Sequence, residues 1–272
     1  MKMGPRVTGR SRDSQAVWTD VHRGAQLWPF WLRLGVDDIR KRYARTALGP
    51  LWLLLKSGTW IVVMALMSSA LFGRSMGNAT PFVAAGMCAW LILSAILTES
   101  CDVFLRNSWL LTSSSLPVSF HVYRHLVRVA ITFLQYMPIL IGVLILRGIY
   151  PSLSLAALVP VMGMYLVFAL WAGVVLGILT MHIRDTPHLL YTLLPFIPIV
   201  SPLMWSRDML QQHQWVADWN PVYHFVEILR SAALDTPVPW FSWMTVATIN
   251  LLGLLAAFVV YRHKRSRLGL LV

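Results

Sequence analysis

The segment MHIRDTPH, Met181 to His188, sets His182, Asp185 and His188 three residues apart, a spacing suited to metal ligation or to acid and base work. A plainer reading is also open, in which Arg184 and Asp185 turn the chain and cap a helix that Pro187 begins. Glu99 and Asp102, one helical turn apart, are carboxylates that could couple transport to protons, or could simply pair with nearby arginines. Cys88 and Cys101 have no paired spacing for a disulfide framework or a zinc site and read as structural. The chain contains no HExxH, GxSxG or CxxC, and the Gly73 to Gly77 region lacks the lysine of a phosphate-binding GxxxxGK[ST] loop. The expectation is therefore no catalytic set, no metal site and no cofactor. If ATP drives this protein, a separate subunit binds it.

The elements that carry these residues are apolar. Of 272 residues 57% are hydrophobic and 12% charged, against about 25% charged in an ordinary soluble domain. A formal charge of +12 is one mark of a nucleic-acid binder, but the charges sit between apolar runs, so nucleic acid is not expected as a partner and the basicity reads as membrane topology. Six stretches approach the roughly 20 apolar residues that a spanning helix needs. They are Leu51 to Phe72, Pro81 to Thr98, Val129 to Leu146, Leu153 to Met181, Leu189 to Ser206 and Phe241 to Tyr261. The fifth carries Pro195, Pro198 and Pro202 and is expected to be kinked and packed inside the bundle. Lysine and arginine gather at the N-terminus, in the second and fourth loops (Arg106, Arg124, Arg128, Arg184) and in the tail, which puts both termini in the cytoplasm.

The expected fold class is an all-α integral membrane protein with six transmembrane helices, an N-terminal amphipathic interface helix and a short re-entrant helical hairpin between helices 5 and 6. By residue, 1–25 read as a flexible basic tail, 26–50 as the interface helix, 51–261 as the transmembrane domain and 262–272 as a basic cytoplasmic tail. In the interface helix Leu32, Val36, Ile39 and Tyr43 share one face, away from Arg33, Asp37, Arg40 and Lys41. Such a helix is either an anchor on acidic lipid or part of a substrate entry route. The loop from Leu105 to His125 exposes Trp109, Leu110 and Leu111 near an Asn107 or Ser108 cap, and Pro117 starts the next helix. It is either a docking surface for another protein or an interfacial helix turned into lipid. On the other side, Asn220 and Pro221 form a cap followed by proline at the first helical position, and DMLQQHQWVADW before them suggests a second short helix. Trp205, Trp215, Trp219, Trp240 and Trp243 make a collar of the kind expected at a membrane interface.

Taken together, RYARTALGPLW (Arg42 to Trp52), six spans, a short loop after the second, RDTPH after the fourth and NPVYHFVEILR (Asn220 to Arg230) resemble the membrane subunit of type-2 ABC exporters. The likeness is nearest to the branch that exports O-antigen, capsule or teichoic acid, and it covers the chain from about Gln26 onward. The resemblance implies a homodimer in the bacterial inner membrane, joined by two copies of a separate ABC ATPase and moving a lipid-linked glycan. It implies ATPase coupling at Asn107, Trp109, Leu110, Leu111, Leu116 and Pro117, although LTSSSLPVSF replaces the family's more basic stretch ending in Phe-Pro. A lipid-phosphate headgroup would enter past Arg40, Arg42, Tyr43, Arg45, Gly49 and Pro50. Trp171, Trp205, Trp215 and Trp219 would stack on sugar faces, beside an outer gate at Asn220 and Pro221.

Overall fold

The computed structural model describes residues 8–44, 46–73, 75–106, 116–149 and 153–265, and every regular element among them is helical. Two helices precede the bundle, α1 (Thr8–Gln26) and α2 (Trp28–Tyr43). Five long apolar helices follow: α3 (Leu51–Phe72), α4 (Met76–Cys101), α5 (Val118–Leu146), α6 (Leu158–His182, after a 3-10 turn at Leu153–Ala157) and, last in the chain, α11 (Trp240–Lys264). The shortest has 22 residues, about 33 Å, which matches a hydrocarbon core of about 30 Å. The protein is thus a multi-pass membrane protein, with five helices among the described residues long and apolar enough to cross.

Between α6 and α11 the chain is broken into pieces. Thr186–Leu193 (α7), a 3-10 turn at Leu194–Phe196 and Ile197–Val200 (α8) form 15 apolar residues that stop at Ser201, where the backbone turns extended. Pro195 and Pro198 remove backbone donors and crowd the preceding carbonyls, and this limits the segment to about 22 Å. It differs from expectation in its packing. Leu189, Phe196, Ile199 and Val200 are exposed on the single chain, because α4 and α10 (Pro221–Leu234) take the central position instead. Arg207–His213 is a 3-10 segment kinked at Gln211, which has φ 44°, and Trp215–Asp218 is a single turn, α9.

Contacts fix which helix ends lie together. At one end Asp20 of α1 meets the start of α5 and Tyr261 of α11, and Lys264 lies 3.5 Å from His182 at the end of α6. The N-terminal helices and the end of the last helix therefore share one end of the bundle. At the far end Arg147 donates to Thr80 of α4, and Ser68 of α3, one turn from that helix's end, donates to the Met204 carbonyl at 2.7 Å. The broken segment thus starts beside His182 and arrives near the far end. Residues 8–25, part of the 1–25 stretch expected to be a flexible tail, are helical. Val17 is buried with Phe104, Val122 and Ile178 in a second apolar cluster, which supplies the burial that the composition alone did not reveal. The basic C-terminal stretch begins inside α11, which runs on to Lys264.

The core is organised around α4, the most buried of the five long helices, while α3 and α11 present most of their surface outward. Tyr165 of α6, fully buried, donates to the Phe225 carbonyl of α10 and meets Phe133 and Phe225 edge-on. The helices α6 and α11 close on each other at Gly253, where a Cβ would overlap the Trp171 ring. Gly253→Val is expected to cost about 1–3 kcal/mol by overpacking, whereas Gly142→Ala, with open space around it, should gain about 0.5–1 kcal/mol. Thermal unfolding midpoints of the two variants in detergent check the difference in sign.

Candidate functional site

The amphipathic helix α2 turns two faces. Asp37 lies on the exposed one, loosely paired with Arg40 at 3.9 Å. Asp38 and Ile39 face inward, and Gly35 lets the helix approach α5 so closely that a Cβ would stand 2.7 Å from Val127. Asp38 accepts a bidentate pair from Arg124 of α5, Nε to Oδ2 at 2.8 Å and Nη2 to Oδ1 at 2.5 Å, and a further bond from Arg128 Nη1 at 3.1 Å. Arg128 Nε reaches Glu99 Oε2 of α4 at 3.2 Å, and Arg42 Nη2 at the end of α2 reaches Glu99 Oε1 at 2.5 Å. His125 completes the cluster, its Nδ1 3.4 Å from Arg128 and its Nε2 3.3 Å from Ser100 Oγ.

Three guanidinium groups thus face two carboxylates, leaving one net positive charge. Four of the five side chains are exposed by 9% or less, while Arg42 at the rim is 35% exposed. Charges so buried are tolerable only when paired, and removing one member strands its partner at a cost of about 3–5 kcal/mol. Burial works against charge on Asp38, and the Arg124 hydrogen bonds and the nearby Arg128 outweigh it, holding that carboxyl below the usual carboxylate range. Burial likewise opposes charge on Arg42, and Glu99 outweighs it, so Arg42 stays cationic more firmly than a free arginine.

Sequence reasoning counted Arg124 and Arg128 as loop charges, but α5 begins eleven residues before Val129 and carries both on a buried helical face. Asp38 was missed. The signal available was the Asp37-Asp38 doublet, which sets two acids about 100° apart around the helix and so brings one of them nearer the buried face. Of the proposed entry residues, Arg40 projects outward, 79% exposed, Arg42 is spent on Glu99, and Tyr43 is half-buried. Gly49 has φ 52° and with Pro50 turns the chain into α3. Arg45 lies outside the described residues, as do Asn107, Trp109, Leu110 and Leu111. Leu116 is half-buried and Pro117 sits at the N-cap of α5. Asp102 pairs with Arg106 at 3.2 Å. His182 is bonded to the Ile178 carbonyl, Asp185 stands at the N-cap of α7 without a side-chain cap bond, and among the described residues no group of three metal-ligating side chains occurs.

At the far end the NPVYHFVEILR stretch folds as a staple. Asn220 Oδ1 caps α10 by accepting from Val222 N at 3.0 Å, while its Nδ2 donates to Ser201 Oγ at 3.0 Å. Ten residues on, Arg230 Nη2 donates to the Pro202 carbonyl at 2.9 Å and Nη1 to Glu227 at 3.0 Å, and the guanidinium lies 3.8 Å from the Phe82 ring centre. Gly86 of α4 makes room, since a Cβ there would meet Arg230 Nη2 at 2.7 Å. Both ends of α10 are therefore tied to the Ser201–Leu203 stop of the broken segment. Below it Arg207 grips Asp218 bidentately at 2.7 and 2.8 Å. Trp215 and Trp219 are exposed by 59% and 82%, Trp205 is half-buried, and Trp171 is wedged between α6 and α11 with its N–H on Asn250 at 3.0 Å.

Because the folded-state pKa of Asp38 is depressed, its contribution to stability is complete above about pH 4 and is lost as pH falls through the lower folded value. The unfolding midpoint in detergent is expected to be flat from about pH 5 to 8 and to drop below about pH 4. Arg124→Gln should lower the neutral-pH midpoint, by the loss of about 3–5 kcal/mol, and move the acid limb to higher pH as only Arg128 is left to oppose burial.

The arrangement has known relatives. Residues 33–234 match the family described as ABC-2 type transporter. An O-antigen export system permease protein RfbA of Klebsiella pneumoniae is 19% identical over 223 residues, 80% of this chain and 86% of the relative. The polysialic acid transport protein KpsM of Escherichia coli is 21% identical over 242 residues, 86% of this chain and 92% of the relative. An O-antigen export permease RfbA of Myxococcus xanthus is 20% identical over 234 residues, 84% and 90% respectively. The match runs from inside α2 to the end of α10 and so takes in the charge cluster and the far-end staple together: this chain belongs to the ABC-2 type transporter family, as a transporter permease and not an enzyme.

Proposed function

We propose that this chain is the membrane-spanning subunit of an ATP-driven exporter that carries a lipid-linked polysaccharide out of the cytoplasm across the bacterial inner membrane. It acts as a homodimer with two copies of a separate ATPase subunit. The observation that carries this reading is the extent of the likeness: relatives named for O-antigen export and polysialic acid transport align over at least four fifths of the chain.

Charge supports the orientation. The end that holds α1 and α2 gathers Arg40, Lys41, Arg42, Arg106, Arg124, Arg128, Arg184 and Lys264, and the far end holds Arg147, Arg207 and Arg230, an asymmetry that supports a reading with both termini in the cytoplasm. The broken 186–200 segment then serves as the fifth of six crossings, and α9 with α10 forms a re-entrant pair in the outer leaflet. The exposed apolar faces of α3, α11 and the broken segment suit cover by lipid and by the second copy. On this reading the 107–117 segment docks the ATPase, Arg40 and Arg45 meet the lipid-phosphate headgroup, and Trp215 and Trp219 stack on sugar faces beside the outer gate. Proton coupling at Glu99 or Asp102 is disfavoured, because Glu99 is held by two guanidinium groups and Asp102 by Arg106.

A strain lacking this chain is expected to lose its surface polysaccharide and to accumulate lipid-linked polymer inside, and the wild-type chain should restore export only together with its ATPase. Arg40→Ala should cut export about tenfold through loss of a charge-assisted phosphate contact, and Trp219→Ala about threefold to tenfold, with protein levels unchanged. Export that persists without any ATPase would refute the reading.

A further inference from the structure

Helix α5 follows directly on the 107–117 loop and begins without a cap of its own. Pro117 at the N-cap offers no side-chain acceptor, so the first backbone N–H groups need one from elsewhere. Asp20 of α1 supplies it, ninety-eight residues away: Val118 N donates to Oδ1 at 3.2 Å and Ser119 N to Oδ2 at 3.0 Å, and Ser119 Oγ donates to the Asp20 carbonyl at 2.8 Å. A carboxylate at this place also answers the positive end of the α5 dipole. The same Oδ2 accepts the Tyr261 hydroxyl of α11 at 2.5 Å, and Arg265, 3.9 Å from Oδ1, donates to the Ala16 carbonyl.

Three segments distant in sequence therefore meet on one side chain. Close packing holds them there. Gly24, one turn beyond Asp20, lies so near α5 that a Cβ would overlap Ser119 Oγ, and Tyr123 donates to the Val21 carbonyl at 3.3 Å. Val17, one turn before, is buried against Val122, Ala257 and Tyr261. A shift of the first turn of α5 cannot occur without moving Asp20, and through the Tyr261 hydroxyl it must pull on the end of α11.

We propose that Asp20 is a positioning residue for export, the carboxylate through which displacement of the 107–117 loop reaches the last membrane helix. The inference rests on the reading that this loop docks the ATPase. It is tested with the full chain and its ATPase in proteoliposomes, by measuring polymer exported per ATP hydrolysed for Asp20→Ala and for Tyr261→Phe, which removes the α11 link and leaves the α5 cap intact. Both variants are expected to assemble, to hydrolyse ATP within about twofold of wild type and to export about tenfold less per ATP. Unchanged export per ATP in Tyr261→Phe, or export and hydrolysis falling in step, overturns the proposal. If Asp20→Ala fails to assemble, Tyr261→Phe decides. Amide exchange on the chain without its ATPase reads the tie alone: Asp20→Ala should raise exchange at Val118 to Phe120 and at Tyr261 to Lys264 together, and a rise at one site only contradicts it. A wild-type complex that does not export would instead overturn the exporter reading while that exchange result stood.

Discussion

A single guanidinium, Arg128, lies between carboxylates on two other helices, Asp38 of α2 and Glu99 of α4, and is 3% exposed. In a medium that screens poorly, a charge placed there is stable only if both partners arrive within hydrogen-bond reach. That requirement sets the depth and rotation of α2 against α4 and α5 more narrowly than apolar packing alone would, since an amphipathic helix can roll on a greasy surface at little cost. Arg124 and Arg42 saturate the remaining carboxylate oxygens. The one surplus positive charge is left at the α2 end, where Arg42 stands at the rim and Arg40 outside it.

The far end solves a related problem by different means. There the polar groups in need of partners are backbone carbonyls, released where prolines stop the broken segment. Arg230 takes the Pro202 carbonyl and Asn220 donates to the neighbouring Ser201 hydroxyl, so α10 is held at both ends by the segment it must pack against. One end of the protein is thus locked by ion pairs and the other by a staple on an interrupted helix. Between them α4 supplies a nearly closed apolar core. Movement of the α2 end relative to the far end is then resisted mainly by apolar contacts, which tolerate sliding better than ion pairs do.

Much of this was legible in the sequence where the signal is local. The first span was bounded to the residue, Leu51 to Phe72, because an apolar run ends there at a glycine that adopts φ 62°. The Asn220 cap and the Pro221 start were readable for the same reason. What escaped depends on partners far along the chain. Asp38 and Arg128 each look like solvated charges until two helices are laid together, and Asp20 looks like one acid in a polar tail until it is found capping a helix ninety-eight residues later. Trp171 was expected among the sugar-stacking tryptophans, and only the Gly253 and Asn250 positions of another helix mark it as a packing residue. The 107–111 residues suggested for ATPase docking lie outside the described residues, and their role rests on the sequence.

The central claim is that the Asp38, Arg124, Arg128 and Glu99 side chains act as one unit that fixes α2 to the bundle. A double-mutant cycle measures it directly, comparing unfolding free energies of wild type, Asp38→Asn, Arg124→Gln and the double variant in the same detergent at neutral pH. A unit predicts that the double variant is less destabilised than the sum of the singles by about 1–3 kcal/mol. Additivity within about 0.5 kcal/mol would mean that the two residues contribute independently and would contradict the account.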